Sequence, residues 1–405
     1  MAEAVISEAH GLFSSDLPPL PENRIVVGFG MVSVDYVAIV DAFPKPDEKV
    51  RGRSLQVFGG GNAANALTCA SRLGLTPKLI TKVGDDSLGQ IALAELEADG
   101  VDTSLVKISD GGTSTSTYVI VDKQMKTRTC IYTLGVPAMV PDDLPKTKLV
   151  SALNEAKLAY FDGRSTKPAL VVAQEAARMS IPILVEAERK KAGLASLLDL
   201  ATYIICSEKF PQAWTSASSI PKALVSILLK YPNVKFVIAT LGEKGCVMID
   251  RRTPGEDPHL DAIDVDSLTE SLKLRIDENV TTPTLVTSES SVRLRADGIG
   301  TLYGKLLLGT AEKIPPSEIL DTTGAGDAFI GAVLYALCAG MPPEKMLPFS
   351  CQVDTMKKKN SCSRPHVVGQ RLDVVVLDKL PPQINPRGSI SLLVLSFIIS
   401  CLCCL

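Results

Sequence analysis

Short, almost wholly apolar runs alternate with amphipathic stretches along most of this chain, and that alternation limits the fold more than any other feature. "RIVVGFG" (Arg24 to Gly30) reads as a buried strand. "NAANALTCASRL" (Asn62 to Leu73) reads as a helix stopped by Gly74, and "PKLITKVG" (Pro77 to Gly84) as the next strand. "SLGQIALAELEADG" (Ser87 to Gly100) is again helical, with a terminal glycine. The pattern returns in "AKLAYFDG", "PALVVAQEAARM", "IPILVEA", "ATYIICS" and "VKFVIATLG", which span Ala156 to Gly242 with other residues between them. Strands that are apolar throughout and separated by helices predict a mostly parallel sheet covered on both faces. The expected class is α/β, a three-layer α/β/α sandwich. With 405 residues, 46% of them apolar, the chain has ample material for such a core.

Four intervals break the pattern. "TSTSTYVIVDKQMKTRTCIYTL" (Thr113 to Leu134) alternates β-branched and polar residues around a turn, which predicts a hairpin. With "RSLQVF" (Arg53 to Phe58) it forms an expected small sheet, a lid drawn from about 47–60 and 113–137. Residues 250–300 are polar and without strong periodicity, and read as an inserted surface loop. After Cys351 no βα continuation is apparent, and the last residues, 388–405, are uncharged and apolar; an ill-packed terminus is the first reading and a membrane contact the second. Residues 1–22 carry scattered acids and no long apolar stretch, which argues against a signal or transit peptide and sets the cytoplasm as the expected compartment.

The charge pattern narrows the function. A net charge of −3 and no basic stripe argue against a nucleic-acid partner. Three histidines (His10, His259, His366) lie far apart, so neither a zinc site nor a Cys–His nucleophile is expected. Cys69, Cys206, Cys246 and Cys338 sit inside apolar runs and read as small buried hydrophobes.

"VGFGMVS" offers Gly28 and Gly30 after the first strand, but Ser33 stands at the third glycine position and an extended segment follows. A dinucleotide fingerprint is therefore not expected. Asp35 lies just past the carboxyl end of that strand, where open parallel sheets bind ligands. "FGGGNAANA" places Gly60 and Gly61 before a helix, with Asn62 as its expected N-cap and Asn65 one turn in, able to offer an amide to a hydroxylated substrate. "TLGEKG" leaves a buried strand through Thr240, Gly242 and Gly245 and returns as another, a hairpin turn that could lie against a nucleotide.

"DTTGAGDAF" is the most specific signal. Gly324, Ala325 and Gly326 open a helix whose first amides lack intrahelical acceptors, and with so few side chains an anion can rest on them. Asp327 would repel that anion, yet it fits as the group that takes a proton from a hydroxyl attacking a phosphate. No Gly-Lys-Ser/Thr follows, so this is not a Walker loop.

Taken in order, "GGGNAANALTCASRLG", "VGDDSLG", "TLGEKG" and "DTTGAGDAF" resemble the ribokinase-like (PfkB) carbohydrate kinases over roughly residues 24–350. The resemblance implies an α/β sandwich with a small β lid, in one kinase domain over 23–350 followed by an atypical tail over 351–405. It implies transfer of the γ-phosphate of ATP to an alcohol of a small carbohydrate, with Mg2+ and, in some members, a monovalent cation. Asp327 then resembles the catalytic base and Gly324, Ala325 and Gly326 the anion hole. Asp35, Gly60, Gly61 and Asn65 resemble the substrate contacts, Thr240, Gly242, Gly245 and Thr322 the nucleotide contacts. Glu208 resembles a carboxylate that orients magnesium through water, although Ile205 stands where the family's Asn-x-x-Glu has asparagine. A homodimer through the lid is the implied assembly. Two alternatives remain at this stage: a nucleoside kinase of the same family, and a catalytically impaired binding or regulatory protein.

Overall fold

The computed structural model describes residue 20 and residues 22–125, 127–254, 261–289, 291–315 and 324–359, without the side chains of 356–359. The N-terminal segment, Thr322 and the tail from 360 onward lie outside the described residues.

The chain opens with β1 (Ile25–Phe29), β2 (Ser33–Val40) and β3 (Ser54–Gly60), then helix α1 (Asn62–Arg72). β4 (Thr76–Ile80), β5 (Lys82–Gly84), α2 (Ser87–Ala98), β6 (Lys107–Ser109), β7 (Ser116–Asp122) and β8 (Thr127–Thr133) follow. Helix α3 (Lys146–Leu153) leads into β9 (Leu158–Phe161), α4 (Thr166–Arg178), β10 (Ile183–Ala187), α5 (Leu194–Leu198) and β11 (Tyr203–Ser207). Next come α6 (Phe210–Thr215), α7 (Ile220–Lys230), β12 (Phe236–Thr240), β13 (Cys246–Arg251), β14 (Ile263–Asp264) and α8 (Val265–Lys273). β15 (Leu285–Thr287), β16 (Val292–Ala296), β17 (Gly300–Gly309), α9 (Ala325–Cys338) and α10 (Pro343–Lys359) complete the set.

Six strands, in the order β4-β1-β9-β10-β11-β12, run parallel at the centre of the main sheet. β13 and β17 extend it antiparallel, and β16, β14 and β15 finish that edge. Both faces are covered, as alternate residues of one strand show. Ala159 and Phe161 of β9 enter the core beneath α4 and α7, whereas Leu158 and Tyr160 enter the one beneath α1 and α9. That is why these strands read as apolar runs without a period of two. The predicted sandwich and its separate small sheet are both present.

The small sheet has the order β3-β2-β7-β8. Its central strand β2 was not included in the lid expected from 47–60 and 113–137; it pairs over seven residues each with β3 and β7. The single strand predicted over Pro77 to Gly84 is two, because after Ile80 the chain leaves the main sheet and β5 pairs with β6 instead. The surface loop expected over 250–300 is not one: it holds β14, α8, β15 and β16, three of them strands of the main sheet. Short strands of mixed polarity at a sheet edge carry little periodic signal, and α8 spans only 9 residues. Helix α10 continues through "CQVDTMKKK", so the chain after Cys351 remains helical up to Lys359. Among the described residues no helix is long and apolar enough to cross a membrane; the 388–405 segment lies outside them.

Candidate active site

Open parallel sheets bind ligands beyond the carboxyl ends of their strands, and polar residues of this chain collect there. β1 is followed by Gly30 and Met31, β9 by Asp162 and Arg164, β10 by Glu188, β11 by Glu208 and β12 by Gly242. Helices α1 and α9 bring their first turns to the same end, as the contact between Asn65 and Asp327 shows.

The Gly28/Gly30 pair has a packing reason unrelated to any dinucleotide. A Cβ at Gly28 would fall 2.6 Å from Leu67 of α1, and one at Gly30 would fall 2.3 Å from the Asp162 carboxyl and 2.6 Å from Ala63. The bare backbone lets α1 close onto β1. It also lets Asp162 accept a hydrogen bond from the Met31 amide at 2.6 Å.

Asp35 is buried on β2, its carboxylate accepting from Ser33 Oγ at 2.8 Å. Burial raises its pKa, and hydrogen bonds from Ser33 and Thr117 pull the other way. A Cβ at Gly60 would fall 2.3 Å from that carboxylate, so Gly60 leaves Asp35 its space. Gly61 adopts φ 101° and approaches the Met31 carbonyl too closely for any side chain. These three predicted residues therefore meet at one point.

Asn62 is not the N-cap. Gly61 occupies that position without a side-chain cap, and Asn62 is the first helical residue. Its side chain is used elsewhere: Nδ2 donates to Glu186 Oε1 at 3.1 Å, and Oδ1 accepts from Arg164 Nη2 at 3.0 Å. Asn65 donates through Nδ2 to Asp327 Oδ2 at 2.7 Å, so its amide is directed at the expected base.

Helix α9 starts at Ala325, with Gly324 as N-cap in the left-handed conformation and no capping side chain. Gly326 is exposed, and a Cβ there would meet nothing within 4 Å. Among the described residues, open space therefore lies before amides that have no acceptor within their own helix. Asp327 stands in this turn, half-buried. Its pKa is raised to about 7, first by burial and then by Glu188 and Asp162, against the lowering effects of Asn65 and Arg164. Glu186, buried between Tyr160 and Asn62, is raised to about 8 by burial, Asp327 and Asp162.

The other expected contacts lie at the neighbouring strand ends. Thr240 closes β12, and Gly242 after it stands in open space at φ 63°. Gly245 is needed for the fold itself, since a Cβ there would fall 2.0 Å from the Gly309 carbonyl. Glu208 is exposed just beyond β11, and Ile205 is buried beside Glu186 in register, adding to the apolar surroundings of that carboxyl. Among the described residues no group of three or more His, Cys, Asp or Glu is arranged to hold a metal. Mg2+ that stays largely hydrated and leans on substrate phosphates needs only one or two carboxylates, which the strand ends provide.

Sequence reading missed Tyr160, Asp162, Arg164, Glu186 and Glu188. Their signal was available in "AYFDGR" and "LVEAER": charged residues directly after, or at the last positions of, buried parallel strands.

The model of the pfkB family carbohydrate kinases matches residues 23–265 and 302–353, leaving out most of α8, β15 and β16. Ketohexokinase of Mus musculus is 25% identical over 333 residues, covering 82% of this chain and 95% of that protein. Ribokinase of Mus musculus is 26% identical over 239 residues, covering 58% and 73%. Among solved structures, a putative ribokinase from Agrobacterium tumefaciens superposes with TM-score 0.61 at 20% identity, over 89% of this chain and 100% of its own. Arabidopsis thaliana ribokinase complexed with ribose and ATP gives TM-score 0.59 at 18% identity, over 90% and 100%. These structures share the fold.

Proposed function

Because the chain belongs to the pfkB family of carbohydrate kinases, we propose that it transfers the γ-phosphate of ATP to a hydroxyl of a small neutral sugar, with Asp327 as the base. The observation that carries this reading is the Asn65–Asp327 contact at 2.7 Å in the open, glycine-lined first turn of α9. A carboxylate there is costly to ionise and lies beside amides suited to phosphate.

Asp35, with Gly60 and Gly61 beside it, would grip sugar hydroxyls, which donate well to a carboxylate. Asp327 would accept the proton of the attacking hydroxyl as its oxygen bonds to the γ-phosphorus and the bond to the ADP oxygen breaks. The amides of Gly324, Ala325 and Gly326 would face the charge on the transferring group. Thr240 and Gly242 would lie along the nucleotide, and Thr322 falls outside the described residues. Mg2+ would be held by nucleotide phosphates and, through water, by Glu208, and it would neutralise phosphate charge. A requirement for a monovalent cation is a further element of the reading, to be tested by potassium dependence.

A sugar is favoured over a nucleoside because the two sequence relatives described above are, by name, a ketohexokinase and a ribokinase. The exposure of the edge strand β8 along its whole length supports, as part of the same reading, a second copy of the chain packing against the small sheet. The test is product mass after incubation of the chain with Mg-ATP and, separately, ketohexoses, aldohexoses, ribose, hexose phosphates and nucleosides. One added phosphoryl group on a neutral sugar supports the reading. Phosphorylation of nucleosides alone would replace it, and no product from a folded chain would favour a binding or regulatory role.

A further inference from the structure

Arg164 follows β9 through Gly163, which turns at φ 66° and has no room for a Cβ, since one would fall 2.5 Å from the Glu186 carbonyl. The buried Asp162 carboxylate accepts from the Arg164 amide at 2.9 Å and from the Met31 amide at 2.6 Å. Arg164 is thereby tied to the link between β1 and β2 that leads to Asp35. Its guanidinium is tied to α1 as well: Nη2 donates to Asn62 Oδ1 at 3.0 Å and to the Glu188 carboxylate. Asn62 keeps that orientation because its Nδ2 donates to Glu186, which also accepts from the Tyr160 hydroxyl at 2.8 Å. Gly60 stands against Asp35, and Asn62, two residues on, holds Arg164, so the entry to α1 joins the two.

These anchors use the backbone amide and one side-chain nitrogen. Nε is buried without a hydrogen-bond partner, and Nη1 has none either, among the described residues. A buried N–H left unmet is costly, so a guanidinium held this firmly with donors to spare is arranged for an acceptor the chain does not supply. The groups around it are mostly acceptors: Asp35, Asp162, Glu186 and Glu188 are carboxyls, while Ser33 already donates to Asp35 and Asn65 to Asp327. A sugar hydroxyl both donates and accepts, and a carbonyl or ring oxygen only accepts, so carboxyls alone cannot satisfy a sugar. Asp162 and Glu188 offset the Arg164 charge, although Glu188 also accepts from the exposed Arg189 at 3.2 Å. What remains is a set of N–H donors without the surplus charge that a phosphate would draw on.

We propose that Arg164 is a specificity-determining residue that donates, through the nitrogens its anchors leave unused, to an oxygen of the neutral sugar held by Asp35. This deepens the function proposed above and rests on it for the place of the sugar. Asn62, Glu186 and Tyr160 are positioning residues, acting only through the guanidinium they hold. A phosphorylated sugar is disfavoured at the same point, because Asp162 and Glu188 stand beside Arg164.

The experiment is calorimetric titration of the full chain, without nucleotide, by D-fructose and by D-ribose. The natural chain should bind one of them, and Arg164→Met should weaken that binding by about 10–100-fold. Arg164→Lys, which keeps the charge but not the planar donor set, should recover only part of it, and it serves also if the methionine variant does not fold. Deoxy and carbocyclic analogues of the sugar that binds then remove its oxygens in turn. The analogue lacking the oxygen that Arg164 serves should bind both chains alike, within about twofold, while the others keep the full penalty. An equal penalty for every analogue would overturn the proposal, because a collapsed site weakens all sugars together. So would undiminished binding in Arg164→Met, or a larger loss for fructose 6-phosphate or ribose 5-phosphate than for the neutral sugar. If the natural chain binds neither sugar, the proposal falls with the sugar reading itself. If Asp35→Asn abolishes binding and Arg164→Met does not, the proposal alone falls.

Discussion

Asp327 is kept where its charge is disfavoured. Burial outweighs Asn65 and Arg164, and its pKa lies near 7, well above an unfolded aspartate at about 3.9. An acid whose pKa rises on folding destabilises the native state above the unfolded value, a cost that builds between about pH 3.9 and about 7 and is fully present above that. Asp327→Asn retains an oxygen for Asn65 but cannot ionise. Urea unfolding should therefore show it more stable than the natural chain at pH 8, by on the order of 1–2 kcal/mol once solvent access is allowed for. Well below the unfolded pKa, at about pH 2.5, the two should coincide. A variant less stable at pH 8 would mean that the carboxylate is structurally useful and not strained. The residue-level reading from sequence was partial for a physical reason. Glycines and the carboxylate in "DTTGAGDAF" announce themselves locally, whereas Glu186 and Arg164 gain their meaning only when separate strand ends meet.

At the scale of elements, the site depends on how closely α1 packs against α9. Gly331 of α9 faces Ala66 and Cys69, and a Cβ there would fall 2.7 Å from the Ala66 carbonyl and 2.6 Å from Cys69. Leu67, Ala70, Ala332 and Val333 fill the same core. Alanine favours a helix over glycine by about 1 kcal/mol, yet here it meets backbone that cannot swing aside. Gly331→Ala should lower stability by about 1–3 kcal/mol as an overpacked site. It should also lower kcat by moving Asn65 away from Asp327. Circular dichroism melts and steady-state kinetics test both; a more stable variant with full turnover would show that the contact is slack. Elements with strong period were legible from sequence: α1, α2, α4 and the parallel strands. α8 and β14 to β16 were not, because short edge elements take their order from tertiary pairing more than from pattern.

At the scale of the molecule, the sandwich supplies a rigid floor and the β3-β2-β7-β8 sheet stands apart from it. One face of that sheet leaves Leu55, Tyr118 and Ile131 more than half exposed. Apolar side chains gathered on a sheet with a free edge are what a partner sheet covers. A second copy is the occupant placed there in the proposed function. Sedimentation should show a dimer at micromolar concentration, converted to monomer by Ile131→Asp with Leu55→Asp. A monomer at all concentrations in the unmodified chain would rule the assembly out. Fold class and three strands of the small sheet (β3, β7 and β8) could be read in the sequence because they follow from repeated local pattern; β2's place in that sheet and the strand order could not, since they depend on which distant runs pair.

The most direct test of the central claim is ADP release from Mg-ATP in the presence of a neutral sugar, by the natural chain and by Asp327→Asn at matched folded concentration. The account predicts turnover in the first and a fall of about 10²–10⁴-fold or more in the second. Comparable turnover in the two would contradict it.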